Sequence, residues 1–171
     1  MSAPPKKIMT ASCACEKVAF EAVGTPIVSA VCYCDDCQEA GRRIEALPNA
    51  GPVLDPDGGS AYLLYRKDRY TCSKGAELLQ SHKLSDKSPT KRVVAGCCNA
   101  AMFLGFDDSK HWVSAYRGRF QGDAPPVQMR IQTKFRAGTG DLPADAPSYP
   151  GFAPGLLGKL LGVRIAMLFG R

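Results

Sequence analysis

A chain of 171 residues has room for one domain with a hydrophobic core and is too short for two large ones. Hydrophobic residues at 45% and charged residues at 22% exclude a disordered or fibrous protein. The net charge of +6 arises from 22 basic residues that form no stripe interleaved with aromatics, so a nucleic-acid surface is not expected; a small anion carrying carboxylates suits such a mild positive field better.

In chain order, residues 1–10 read as a solvated arm. Val18, Phe20 and Ala22 then alternate with polar neighbours as in a half-buried strand, and Gly24, Thr25 and Pro26 make a turn. Residues 27–31 form a second strand that delivers Cys32, and residues 35–43 suit one or two helical turns, capped by Asp35 and Asp36. Residues 49–60, rich in proline and glycine, predict a loop. Residues 61–72 and 76–84 then read as a strand pair turning near Lys74 and Gly75, with further strands over 92–106, 111–116 and 127–135. Residues 137–154 predict an irregular extension, and the final apolar stretch a short helix whose Leu156, Leu160, Val163 and Met167 side packs on the domain or on a second copy of the chain. That stretch is interrupted by Lys159 and Arg164, which leaves it short of a bilayer span; lying in a membrane interface is the other use for it. The expected organisation is an arm over 1–10, a cysteine-rich domain over 11–136 and an extension over 137–171.

The opening residues hold no apolar run of signal-peptide length, so a cytoplasmic location is the default expectation. Eight cysteines in a reducing compartment point to a metal site or thiol chemistry rather than a disulfide scaffold, with inert buried thiols as the plain alternative. Cys72 stands alone and reads as a small core residue. The others cluster: Cys13 and Cys15 as CxC, Cys32, Cys34 and Cys37 as CxCxxC, and Cys97 beside Cys98. Thiolates one or two residues apart at a turn converge on one ion; zinc takes four such ligands when structural and three plus an open position when catalytic. By spacing alone, CxCxxC also fits an iron–sulfur cluster or a redox pair.

The succession SCACEKVAFEAVGTP, VCYCDDCQEAG and RVVAGCCNAAMFLGF, within residues 11–106, resembles the motifs of the glutathione-dependent formaldehyde-activating enzymes and the related centromere protein V group. The resemblance implies a mainly β fold of small antiparallel sheets pinned by zinc. It also implies a structural zinc on Cys13, Cys15 and Cys98, and a second zinc on Cys32, Cys34 and Cys37 at the site for glutathione or its adduct. The first cysteine of the family's late pair falls on Ala95, so the fourth structural ligand is Cys97, a water or nothing. On an extended strand Cys97 and Cys98 would point to opposite faces, so sharing an ion requires a turn there. Asn99 and Glu16 replace family glycines, and asparagine tolerates a left-handed backbone. Tyr33 and Gln38 stand where the family has histidine and arginine, which implies a lost cation beside the three thiolates and a weaker pull on glutathione.

The implied function is a carbon–sulfur lyase step on glutathione–aldehyde adducts of the S-hydroxymethylglutathione type, with Cys32, Cys34 and Cys37 as the working zinc ligands. The alternatives are a zinc-stabilised binding module without catalysis and a metal-free redox-sensing thiol protein. Arg42 and Arg43 are candidate anchors for a glutathione carboxylate; His82 and His111 match no family site position, and Trp112 with Phe103 and Phe106 reads as core.

Overall fold

The computed structural model describes residues 7–170. In chain order the described residues form β1 (Ile8–Ser12), β2 (Ala19–Val23), β3 (Val28–Cys32), α1 (Asp35–Glu45), β4 (Ser60–Arg66), β5 (Tyr70–Lys74), β6 (Leu79–His82), β7 (Thr90–Ala95), β8 (Ala100–Phe106), β9 (Trp112–Tyr116), β10 (Met129–Ile131) and α2 (Pro154–Leu168). A three-stranded antiparallel sheet has the order β1-β2-β5, and a seven-stranded sheet the order β10-β3-β4-β9-β8-β7-β6. The mainly β expectation is met. The larger sheet exceeds the small antiparallel sheets foreseen, and it is mixed, because β10 adds to β3 in parallel.

Several boundaries differ from the sequence reading, each because tertiary pairing overrides local pattern. Residues 8–10, assigned to the arm, belong to β1, where Ile8 faces Val23 and Thr10 faces Glu21; residues 1–6 of that arm lie outside the described residues. The stretches 61–72 and 76–84 do not pair with each other: β5 joins β2, and β6 joins β7. The single strand expected over 92–106 is two strands, β7 and β8, folded back through a turn at 96–99. The alternation over 127–135 yields only the short β10, followed by a 3-10 turn at Thr133–Phe135. The proline-rich stretch after it runs alongside β10, with the Tyr149 amide donating to the Arg130 carbonyl at 2.8 Å.

β4 explains why two cores form. Its sequence SAYLLYR is apolar on both faces, and the two-residue period sends Leu63 and Tyr65 to one side and Tyr62 and Leu64 to the other. On the first side they meet Met9, Phe20, Tyr70 and Phe120 beneath the small sheet. On the second they meet Ile44 of α1, Met129 and Ile131 of β10, and Leu156 and Leu160 of α2.

α1 carries Asp35 and Asp36 in its first turn and Arg42 and Arg43 in its last, which complements the helix dipole, and it buries Cys37, Ala40 and Ile44. Gly41 lets the loop press against it: a Cβ there would lie 2.5 Å from a Leu54 methyl. α2 starts on Pro154, whose missing N–H costs nothing in a first turn. It buries Leu156 and Leu160, roughly 1.5–3 kcal/mol each, and leaves Leu157, Leu161, Ile165 and Leu168 exposed. No helix among the described residues is long and apolar enough to cross a membrane.

A buried hydrogen bond fastens α2 to the sheet: His111 Nε2 lies 2.9 Å from the Leu160 carbonyl oxygen, to which it donates. Burial first, then the cations Arg164, Arg66 and Lys67, hold the imidazole below its ordinary value of 6.5. Folding therefore favours the neutral ring. The stability it contributes is complete above 6.5 and is lost as pH falls below it, where the unfolded chain takes up the extra proton. Between about pH 7.5 and about pH 5.5 the urea midpoint should fall more steeply in the native chain than in His111→Gln, which keeps an N–H donor and cannot titrate. Equal slopes in the two proteins would remove His111 as the cause.

Candidate metal centres

The first cysteine group is assembled from two tight turns. After β1 the chain reverses at residues 13–16, with the Glu16 amide donating to the Cys13 carbonyl at 3.1 Å and the Val18 amide donating to Cys13 Sγ at 3.3 Å. Between β7 and β8 the Cys98 amide donates to the Ala95 carbonyl at 3.2 Å. Glu16 and Asn99 both take the left-handed backbone, with φ of 59° and 53°, which accounts for the glycines the family uses at these two places. Asn99 is further held by its side-chain amide, which donates to the Pro48 carbonyl at 2.8 Å. Gly96 admits the turn, since a Cβ there would lie 2.6 Å from Gln80 Nε2.

These turns bring together Cys13, Cys15, Cys97 and Cys98, whose sulfurs all lie within 4.8 Å of one another. Cys13 Sγ stands 3.6 Å from Cys15 Sγ and 3.8 Å from Cys97 Sγ, and Cys15 Sγ stands 3.3 Å from Cys97 Sγ. Four thiolates about 2.3 Å from a tetrahedral zinc would be about 3.8 Å apart, so the spacing suits that ion. Residues 97 and 98 sit in a turn rather than on a strand, which is why neighbours in sequence share one centre. Ala95, where the family's cysteine would fall, is fully buried in β7. Desolvation, followed by hydrogen bonds with Cys15 and Cys13, pushes the Cys97 thiol up to about 12. Sulfurs packed this tightly cannot all ionise unless a cation lies among them, which is the condition a bound metal meets.

The second group sits where β3 runs into α1. Cys32 ends the strand, Cys34 is the residue that caps the helix through its backbone, and Cys37 lies in the first turn, with its amide donating to the Cys34 carbonyl at 3.1 Å. Neither Asp35 nor Asp36 serves as the capping side chain expected of it; both lie within the first turn. The three sulfurs are within 4.8 Å of one another, and the helix N-terminus favours negative charge beside them. Hydrogen bonds from Cys32 and Cys34 hold the Cys37 thiol well below its ordinary range, helped by the Tyr62 hydroxyl and the Arg92 guanidinium. Tyr62 donates to Cys37 Sγ at 3.6 Å, and burial keeps its own phenol protonated. Hydrogen bonds with Cys34 and Cys37 keep Cys32 a thiol in the absence of a cation.

Arg92 is the functional neighbour that the sequence reading missed. It projects from β7, is 2% exposed, and donates to the Asp36 carbonyl at 3.2 Å and to Thr90 Oγ1 at 3.2 Å. The cation expected to be lost at Gln38 is thus supplied from another strand. Its sequence signal is weak, a basic pair with Lys91 just ahead of the apolar run Val93, Val94 and Ala95. Tyr33 and Gln38 turn away from the sulfurs. The Tyr33 hydroxyl donates to Asp57 Oδ2 at 2.7 Å and accepts from Arg130 Nη1 at 2.6 Å. Gln38 Nε2 donates to the Tyr33 and Phe135 carbonyls at 2.6 and 2.8 Å.

The remaining candidates stand apart from both groups. Cys72 Sγ donates to the Lys74 carbonyl at 3.3 Å, His82 lies at the end of β6, and Arg42 and Arg43 pair with Glu39 on the exposed face of α1. Trp112 is half-buried, edge-on to Phe106 with ring centroids 5.6 Å apart.

Residues 8–46 match the family model described as glutathione-dependent formaldehyde-activating enzyme, a span that includes the first two cysteine clusters. No curated protein matches the chain. Among solved structures, a Rhodobacter sphaeroides protein determined as a structural-genomics target is similar, with a TM-score of 0.50 and 14% identity over 82% of this chain and 100% of that one. At that identity the likeness concerns the fold. The family resemblance read from the sequence thus has support over residues 8–46, the span that holds Cys13, Cys15, Cys32, Cys34 and Cys37.

Proposed function

We propose that this chain is a two-zinc protein in which Cys13, Cys15, Cys97 and Cys98 hold a structural ion, and Cys32, Cys34 and Cys37 hold a working one. The working centre would act as a carbon–sulfur lyase on S-hydroxymethyl adducts of a thiol with an aldehyde, glutathione and formaldehyde being the pair in the family's name. The observation that carries this reading is the difference in ligand number: four sulfurs in one centre and three in the other. A closed set of four suits a structural ion, and three leave a position for substrate.

Zinc, when bound, would supply Lewis acidity at the three-sulfur centre. The chain's own residues contribute the rest. The N-terminus of α1 and Arg92 favour anionic sulfur, and the Tyr62 hydroxyl, kept protonated by burial, orients Cys37. Cys32 and Cys37 both open on the cavity beneath α2, the route for a ligand to the open position. A second reading, a zinc-stabilised binding module, is favoured by Tyr33 and Gln38, which are spent on hydrogen bonds to Asp57, Arg130 and backbone rather than facing the centre.

Elemental analysis of protein purified without added metal should find two zinc ions per chain, falling to one in Cys32→Ala/Cys34→Ala/Cys37→Ala and to one in Cys97→Ser, while Cys72→Ser retains both. Cys97→Ser should also melt at least about 6 °C lower, the shift that about 3 kcal/mol of lost cross-linking produces in a chain of this size. A metal-free native chain would overturn the two-zinc reading and leave thiol chemistry in its place.

Release of aldehyde from, or its addition to, a thiol should be measured on the zinc-loaded chain beside the triple alanine variant. Turnover in the native protein and at least a hundredfold less in the variant is the expected result. Zinc bound without turnover on any thiol adduct would instead select the binding module.

A further inference from the structure

A cavity of about 290 Å³ lies between the seven-stranded sheet and α2, and Cys32 and Cys37 form part of its wall. Apart from Lys110 and Ser114, the rest of the wall is aliphatic and aromatic, with Leu64, Trp112, Ile131 and Leu160 among its lining residues. The roof is fixed: Leu156 and Leu160 are buried, and the His111 hydrogen bond holds the Leu160 turn of the helix in place. A volume of this size is at the small end of ligand sites, where apolar surface supplies affinity and a few polar groups set orientation.

Glutathione does not suit this chamber. It carries two carboxylates and an ammonium, and each would need a partner if it were taken out of water. The one cationic side chain in the wall, Lys110, is engaged by the Asp108 carboxylate and lies over the Phe106 ring, 4.9 Å from its centroid. The Tyr62 hydroxyl is given to Cys37, and Ser114 alone is left with an uncommitted hydroxyl. Arg42 and Arg43, the expected carboxylate anchors, lie outside the wall and pair with Glu39.

We infer that the thiol served by the Cys32, Cys34 and Cys37 centre is one whose substituent is apolar, a medium-length alkyl chain or a single aryl ring seated beneath α2 with its sulfur toward the centre, and that glutathione is not the preferred partner. This rests on the reading of those three cysteines as a thiol-binding centre. The apolar substituent, however, is tested by ligands that need no metal.

Trp112 is the single tryptophan of the chain and stands in the cavity wall, so its emission reports occupancy directly. The zinc-loaded full chain is titrated with butanol, hexanol and octanol, then with the matching alkanethiols, and octanol is competed with glutathione. Saturable emission changes are expected, with affinity rising about threefold to fourfold per methylene. The thiols should bind more tightly than the alcohols of equal length, and glutathione should displace neither. Ala30→Phe, which places a ring in the cavity from the floor strand β3, should abolish the response. A flat chain-length series in the native protein, a gradient that survives Ala30→Phe, or displacement of octanol by glutathione at lower concentration than by hexanethiol would overturn the inference. The native alcohol series decides the matter even if Ala30→Phe does not fold. Cys34→Ala, at the one cysteine of the three outside the cavity wall, separates the two claims: it should lose one zinc and the preference for thiol over alcohol while keeping the alcohol gradient. A native chain without zinc at those cysteines but with the gradient would sink the proposed centre and leave the apolar site standing.

Discussion

Sulfurs from two turns more than eighty residues apart meet within hydrogen-bonding range of one another, Cys15 against Cys97 at 3.3 Å. That convergence ties the turn between β1 and β2 in the small sheet to the turn between β7 and β8 in the large one. The core between the sheets, built on Met9, Phe20, Leu63, Tyr65 and Phe120, includes Cys13 and has Cys97 and Cys98 packed against it. Both turns place a residue other than glycine in the left-handed region, at a cost of the order of 1 kcal/mol each. A cation among the sulfurs would turn their mutual repulsion into cohesion.

The other face of the same sheet carries the three-cysteine group. The two-residue period of β4, which sends Leu63 to one core and Leu64 to the other, also separates the cysteine groups, Cys13 lying in the first core and Cys37 in the second. Two cysteine groups, each able to hold a metal ion, can thus occupy one small domain without sharing a residue. The strand-to-helix junction does two things at once: it ends β3 on a ligand, and it aims the positive end of α1 at the three sulfurs. Arg92, on β7 four strands across the sheet from β3, adds a smaller favourable charge for Cys37.

α2 changes the surroundings of the three cysteines. By laying Leu156 and Leu160 over the sheet it makes a roofed apolar chamber of what would otherwise be an open face, and two of the three cysteines look into it. Leu64, Trp112 and Ile131 line that chamber with the two cysteines, and the proposal of an apolar thiol rests on this lining.

The cysteine spacings, the alternation of 18–22 and the apolar face of the terminal helix were legible from local pattern, because ligand clusters, strand period and helix period are properties of neighbouring residues. Ligand grouping was legible only in part. Whether Cys97 could join Cys98 depended on a turn that folds one apparent strand, 92–106, into two, and that turn is set by the pairing of β7 with β8. The seven-strand order, the parallel β10 and the separation of β5 from β6 rest on contacts between distant segments, which leave no periodic trace in the chain. Arg92 and the chamber beneath α2 belong to the same class. A buried charge and a cavity are defined by what surrounds them, and that environment exists only after residues far apart in sequence have packed together.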